Sequence, residues 1–314
     1  MIPVSSATLD TIAPSNSEFW QKAMAQCFRS VPELLKHLNL VEEQLPYAVD
    51  SQNAFRTKVT RYFADLINPK DPYDPILLQI LPRLDEKAEI KGFSVDPLEE
   101  ADHSPLPGLI HKYQNRVLLI AHQACAIHCR YCFRRHFPYS EQSLRGHALD
   151  KVLDYIVKDP QINEVILSGG DPLSLGDSQL LELLTRLDSL NLRAKVVLVI
   201  HCNHPNEITS VLAEHLQTLR QNNVHLLNQS VLLQGINDNT DTLVALSNQL
   251  FAVGVLPYYL HLLDPVQGAQ HFYLDDNQAV NIWRDMQSQL SGYLLPRLVR
   301  EVPNRPSKTW VNYL

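Results

Sequence analysis

The chain has 314 residues, 45% of them hydrophobic, with 27 Lys and Arg against 34 Asp and Glu and a formal net charge of −7. This apolar content excludes disorder as the dominant state and supports one large core, or a core with a smaller companion. The acidic balance argues against non-specific nucleic-acid binding, and no apolar run approaches the length of a bilayer span.

The opening MIPVSSATLD has no basic region followed by an apolar stretch, so a cytoplasmic protein without membrane attachment is expected. Residues 1–110 read as a helical, polar N-terminal region jointed by proline. Ser30 and Glu33 fit a capping box. Each proline within 68–75 disfavours helix at the residue before it, which predicts a turn or extended linker, and 96–108 reads as a second irregular stretch.

From Arg116 onward short apolar runs alternate with helical periodicity. The runs at 117–120, 165–167, 196–200, 224–233 and 255–263 predict buried strands. Between them Leu149, Val152, Leu153 and Ile156, then Leu180, Leu183, Leu184 and Leu187, then Ile208, Val211 and Leu212, predict amphipathic helices. The pattern implies a parallel α/β sheet or barrel over 111–265, followed by a C-terminal segment at 266–314 that carries a helix. Such folds collect ligands at the carboxyl ends of their strands. Cys125, the tetrapeptide Ser168-Gly169-Gly170-Asp171, His201, Asn203, Gln229 and Asp264 all fall on that rim.

Five cysteines are an odd count, and Cys125, Cys129 and Cys132 crowd into eight residues. Clustered thiols in a reducing compartment point to metal or redox chemistry. Soft thiolates suit an iron–sulfur cluster or zinc, and the adjacent Arg130, Arg134 and Arg135 are expected to lower the thiol pKa values. Three cysteines on a four-iron cluster leave one iron open to a small molecule. A zinc site would be completed by His128 or His136. Spacing alone leaves both readings standing.

The loop CAIHCRYC after a strand resembles the CxxxCxxC loop of radical S-adenosylmethionine (SAM) enzymes. CAIHCRYCFRRHFPY, with HKYQNRVLL, LSGGDPL, NHPNEI, LLNQSVLL, YYLHLLDPVQGAQHF, SGYLLPRL and PSKT, resembles the lysine 2,3-aminomutase family, in its short branch that modifies elongation factor P. These segments cover most of the chain from Pro105 onward. The resemblance implies a partial parallel (β/α) barrel of radical SAM type, with Cys125, Cys129 and Cys132 holding a [4Fe-4S] cluster. Ser168, Gly169, Gly170 and Asp171 would bind the amino-acid end of SAM, and His201 and Gln229 would face the cofactors from the same rim. Lys308 would form the Schiff base with pyridoxal 5′-phosphate (PLP), while His111, Lys112, Tyr113 and Arg116 anchor that cofactor and its phosphate. Arg134 would grip the substrate carboxylate, with Asp264 and Glu301 receiving the distant ε-ammonium of L-lysine. The implied activity is an isomerase reaction from L-lysine to β-lysine by radical 2,3-amino migration through a PLP aldimine. The product would be supplied to elongation factor P and its lysyl ligase, and an oligomer of identical chains is compatible with this role.

One departure stands out. Only 23 residues, Pro172 to Ala194, separate Asp171 from Lys195, where the family carries a further strand and helix. The core is therefore expected to be one βα unit short, with five strands instead of six. The remaining strands either rejoin around a narrower sheet or leave a break with unpaired edges. The alternative function that follows is a catalytically impaired homologue that keeps PLP or the cluster. A second departure is the short run of six residues after Lys308, so the C-terminal assembly segment of longer aminomutases is expected to be absent.

Overall fold

A computed structural model of the chain describes residues 17–142, 144, 146–190 and 195–311. The N-terminal region is less helical than expected. It holds α1 (Ser17–Ala25), α2 (Val31–His37) and two single-turn helices, α3 (Arg61–Ala64) and α4 (Pro75–Leu78), joined by 3-10 turns and irregular chain. Nor is it merely polar, because Phe28, Leu34, Leu38, Ile67, Ile76 and Leu81 are among the residues of an apolar core of its own. The Glu33 amide donates to Ser30 Oγ at 3.3 Å to start α2. In the proline linker Asp74 accepts from the amides of Ile76 and Leu77 and so starts α4, with Pro75 at a first-turn position that needs no amide donor.

Beyond this region strands and helices alternate. β1 (Leu109–Tyr113) and β2 (Arg116–His122) form an antiparallel hairpin, and α5 (His147–Lys158) leads to β3 (Glu164–Gly169), parallel to β2. After α6 (Asp177–Asp188) come β4 (Val197–His201), α7 (Ser210–Gln221), β5 (His225–Val231), α8 (Thr240–Ala252) and β6 (Leu256–His261). The chain continues through α9 (Asp276–Gln289), β7 (Arg297–Arg300) and β8 (Thr309–Trp310). β4 to β7 are parallel, and β8 returns antiparallel on β7. The fold is the mixed α/β architecture of a partial parallel barrel. No helix among the described residues is long and apolar enough to cross a membrane.

Among the described residues the five expected parallel strands, β2 to β6, are present, and a sixth joins them from the C-terminal segment. The additional one is β7. It has only four residues and an arginine at each end, so it carries no apolar run for a pattern to detect. It is nevertheless a core strand, with Leu298 and Val299 fully buried.

The strands fall into two sheets, β1-β2-β3 and β4 to β8, with no ladder between β3 and β4. Of the two outcomes expected for the short connection, the open wall is the one found. Leu198 and Ile200 of β4 pack with Leu216, Leu226 and Leu246, so α7, β5 and α8 set its place. The alternate residues Val197 and Val199, which would face a closed lumen, are 49% and 39% exposed. β3 is held from its own side, where Val165 and Leu167 pack with Val152 and Ile156 of α5. The stretch Asn191–Leu192, where the shortened connection is expected, lies outside the described residues.

Candidate active site

β2 delivers the chain to the loop of Cys125, Cys129 and Cys132. Successive turns shape this loop, with Cys132 N on Cys129 O and Arg135 N on Cys132 O, both at 3.1 Å. The N-terminal region clamps it. Lys58 Nζ donates to Cys125 O at 2.5 Å, the His128 amide donates to Lys58 O at 2.9 Å, and the Arg130 amide donates to Gln79 O at 2.8 Å. Arg130 is wholly buried and shares the Glu86 carboxylate with Arg135. Arg134 and Arg135 pull the thiols down as expected, but burial outweighs them. Burial pushes Cys125 and Cys129 up to about 12, and Glu86 already offsets the charge of two of the three guanidinium groups.

Among the described residues no three His, Cys, Asp or Glu side chains converge closely enough to hold a single metal ion. His128 Nδ1 is committed to Arg56 O at 2.7 Å and His136 Nε2 to Gln267 O at 3.0 Å. Structural zinc needs four donors on one ion. A four-iron cluster takes each thiolate on a different iron, so three spaced soft donors on one loop fit the cluster instead.

The tetrapeptide Ser168–Asp171 closes β3 against the base of this loop. Gly170 N donates to His122 O at 2.7 Å and Asp171 N to Ala124 O at 2.9 Å. A Cβ on Gly169 would lie 2.5 Å from His122 O, and one on Gly170 would lie 2.4 Å from Ala124 O. Backbone contact with the cysteine loop therefore demands both glycines, and Gly169 also has a φ of +107°. Asp171 accepts from Leu173 N at 2.9 Å and caps the next turn.

At the opposite end Lys308 Nζ meets Glu301 Oε2 at 2.5 Å. Glu301 Oε1 accepts from Lys112 at 3.0 Å and from the Tyr113 hydroxyl at 2.8 Å. Burial acts to raise the Glu301 carboxyl, but Lys308, Lys112 and Tyr113 outweigh it and hold it at about 2. Asp264, beyond β6, lies in the same field. Burial first, and the Glu301 charge second, push it up to about 7 against Lys308 and Lys112. It is a carboxylate lacking a close cation. Two buried nitrogens here have no hydrogen-bond partner among the described residues, His261 Nε2 and Arg116 Nε. Lys308 Nζ is 5.8 Å from the Tyr259 ring, which the His261 ring meets edge-on at 5.4 Å, and Arg116 covers the Tyr113 ring at 4.8 Å. An amine near an imidazole nitrogen without a partner, with Arg116 linked to it through Tyr113 and Glu301, is a donor set that fits a phosphate-bearing aldehyde such as PLP. His111 stands apart from this group, its Nδ1 paired with the Tyr155 hydroxyl of α5 at 2.8 Å.

Between the two ends sits Arg134. Its Nε and Nη2 each meet a Glu100 oxygen at 2.7 Å, and its Nη1 donates to Ser168 Oγ at 2.9 Å. Its fork is thus partly engaged by an internal carboxylate. Contacts run from the thiol loop to the lysine end: Arg134 meets Glu100, Leu98 O two residues before it accepts from Lys112 Nζ, and Lys112 meets Glu301, the partner of Lys308. On the rim His201 stacks on Tyr131 at 5.6 Å, and the Tyr131 hydroxyl hydrogen-bonds Cys129. Gln229 alternates with Asn228 and Ser230, which are buried and bind the Cys202 backbone. Asn203 is enclosed, bonded to Gln79 Oε1 and the Val231 amide, and ties the N-terminal region to the sheet. Lys58, Glu86, Glu100 and His261 escape a reading by sequence. None of them belongs to a motif, and the partners of the three charged residues are distant in sequence.

A family model described as the radical SAM superfamily matches residues 119–245, the stretch from β2 to α8. The L-lysine 2,3-aminomutase of Haemophilus influenzae is 41% identical, over 92% of this chain and 94% of its own length. That of Escherichia coli is 41% identical, over 96% of this chain and 97% of its own length, and that of Clostridium subterminale 33%, over 94% and 78%. The chain therefore belongs to the lysine 2,3-aminomutase family of radical SAM proteins, and a [4Fe-4S] cluster and SAM are the cofactors of that class. The Escherichia coli match spans 333 aligned positions, more than the 314 residues of this chain. That relative thus has residues without a counterpart here, in keeping with a shortened connection between β3 and β4.

Proposed function

We propose that the chain is an isomerase that converts L-lysine to β-lysine by 2,3-amino migration, dependent on PLP as well as on the cluster and SAM. What supports this reading is the unbroken line of contacts from the loop of Cys125, Cys129 and Cys132 through Arg134, Glu100 and Lys112 to Glu301 and Lys308, with Asp264 in the field of Glu301 and Lys308. The cluster and SAM supply a carbon-centred radical, and PLP supplies a carbonyl and a ring able to delocalise spin. The chain's own residues do the rest. Arg134 offers its remaining guanidinium donors to the α-carboxylate, and Asp264 awaits the ε-ammonium. Lys308 provides the amine that holds the cofactor, and the ion pair with Glu301 holds that amine in place. Arg116 and Lys112 provide cationic donors suited to a phosphate. Charges at both ends of the pocket select lysine over shorter or neutral amino acids. His201, Gln229 and Ser168 to Asp171 line the SAM side, and β-lysine leaves for elongation factor P and its lysyl ligase.

The test is anaerobic incubation of cluster-loaded, PLP-loaded protein with lysine, SAM and reductant, with β-lysine detected by mass spectrometry. Absence of product from a fully loaded sample overturns the activity. The unpaired edges of β3 and β4 favour a second reading, an impaired homologue that keeps cluster or PLP without turnover, because an open wall admits water to a lumen that radical chemistry needs dry. Stable cluster content without SAM cleavage would support it.

A further inference from the structure

The segment from Ser94 to Ser104 forms a strap between the chain beside Asp264, the lysine end and Arg134. Ser94 N donates to Pro265 O and Gln267 N to Ser94 O, both at 2.9 Å, which fastens the strap beside Asp264. Asp96 folds its middle by accepting from the amides of Glu100 at 3.1 Å and Ala101 at 3.2 Å. Toward the lysine end, Lys112 Nζ donates to Leu98 O at 3.1 Å, and Asn304 Nδ2 donates to Glu99 Oε2 at 2.7 Å. Glu99 has a φ of +51°, a conformation costly for a residue with a side chain. Toward the cluster end, the strap points Glu100 at Arg134, and both side chains are buried, 5% and 6% exposed.

Among guanidinium contacts this geometry is particular. Arg134 has five N–H donors. Glu100 takes one on Nε and one on Nη2, and Ser168 takes one on Nη1. One donor on each terminal nitrogen remains. A two-point carboxylate contact along one edge fixes the plane of the group, so the direction of the remaining donors is set by the strap.

We propose that Glu100 is a positioning residue for substrate selection: carried on a strap anchored beside Asp264 and on Lys112 and Asn304, it locks the guanidinium plane of Arg134 so that the unspent donors receive the carboxylate of an α-amino acid. This rests on the reading of Arg134 as the carboxylate receptor. The strap also touches Lys112, Asn304 and the chain beside Asp264, so the same segment holds the carboxylate receptor at a set distance from the ammonium receptor. A specificity for chain length then follows from a rigid spacer.

The experiment is equilibrium titration of the reconstituted, anaerobic holoenzyme, without reductant, with L-lysine and with L-lysinamide, which lacks the carboxylate charge. In Glu100→Gln the amide places a donor against the guanidinium, the plane is released, and L-lysine affinity falls at least about tenfold while lysinamide changes less than about twofold. Iron and PLP content stay at the wild-type level. Glu100→Asp, which keeps the charge, restores part of the preference for lysine and carries the test if the glutamine variant does not fold. An equal loss for both ligands overturns the proposal, since a merely structural carboxylate would give that result. Tighter lysine binding overturns it as well, since Glu100 would then be a competitor that substrate displaces. Arg134→Met separates the two claims. If it leaves the lysine-to-lysinamide ratio intact, the reading of Arg134 fails; if it abolishes the ratio and Glu100→Gln does not, only the role of Glu100 fails.

Discussion

Asp264→Asn should stabilise the ligand-free protein while weakening lysine binding. Burial and the nearby Glu301 charge move the Asp264 carboxyl from 3.8 up to about 7. A change of that size corresponds to at most about 4 kcal/mol. Asp264 keeps partial exposure, and solvent screening brings the figure to about 2 kcal/mol. The folded-state value lies above the unfolded one, and the group is an acid. Between pH 3.8 and about 7 the folded chain therefore holds a proton that the unfolded chain has released, and stability falls as pH rises through that window. The neutral amide escapes this penalty. Urea unfolding at pH 8 should show Asp264→Asn more stable by about 2 kcal/mol, with a smaller gain at pH 5. An equal gain at both pH values, or a loss at pH 8, refutes an unpaired buried carboxylate at this position. For the same reason lysine binding to the wild type should strengthen as pH rises through about 7 and release a proton below it.

Glu86→Gln leaves Arg130 and Arg135 without their shared carboxylate and should cost about 3–5 kcal/mol, read from the urea midpoint. Gly170→Ala sets a Cβ 2.4 Å from Ala124 O and must displace the base of the cysteine loop; iron bound after reconstitution should fall below about half of wild type with circular dichroism unchanged. Glu301 contributes stability that is present above its unfolded value of 4.5 and lost as pH falls toward about 2, so Glu301→Gln should remove the steepest part of the acid limb of unfolding. Val199→Lys places a charge on the exposed side of β4, and light scattering should show less concentration-dependent self-association with little change in Tm.

The short β7 and the N-terminal region mark where reading by pattern stops. An apolar run of three to five residues is visible in β2, β3 and β4, even though β4 keeps one face exposed, and a helix shows itself through repeats such as Leu149, Val152, Leu153 and Ile156. β7 is bounded by Arg297 and Arg300, whose charges hide Leu298 and Val299. The core formed by Phe28, Leu34 and Ile76 is assembled from separated short pieces, so no window contains its period.

What the amino-acid order shows unaided is the grouping of close neighbours: three thiols in eight residues, two glycines at a strand end, a lysine beside proline and serine, and alternating strands and helices. Spacing of this kind is local, and local geometry follows from covalent reach. Tertiary structure alone decides that Lys58 and Gln79 clamp the cysteine loop, that Glu100 takes the Arg134 fork, that His111 faces a helix, and that β3 and β4 do not pair. Each of these depends on a partner far away in the chain, or on the position of a whole strand, and such partnerships are chosen by packing and burial instead of by sequence distance.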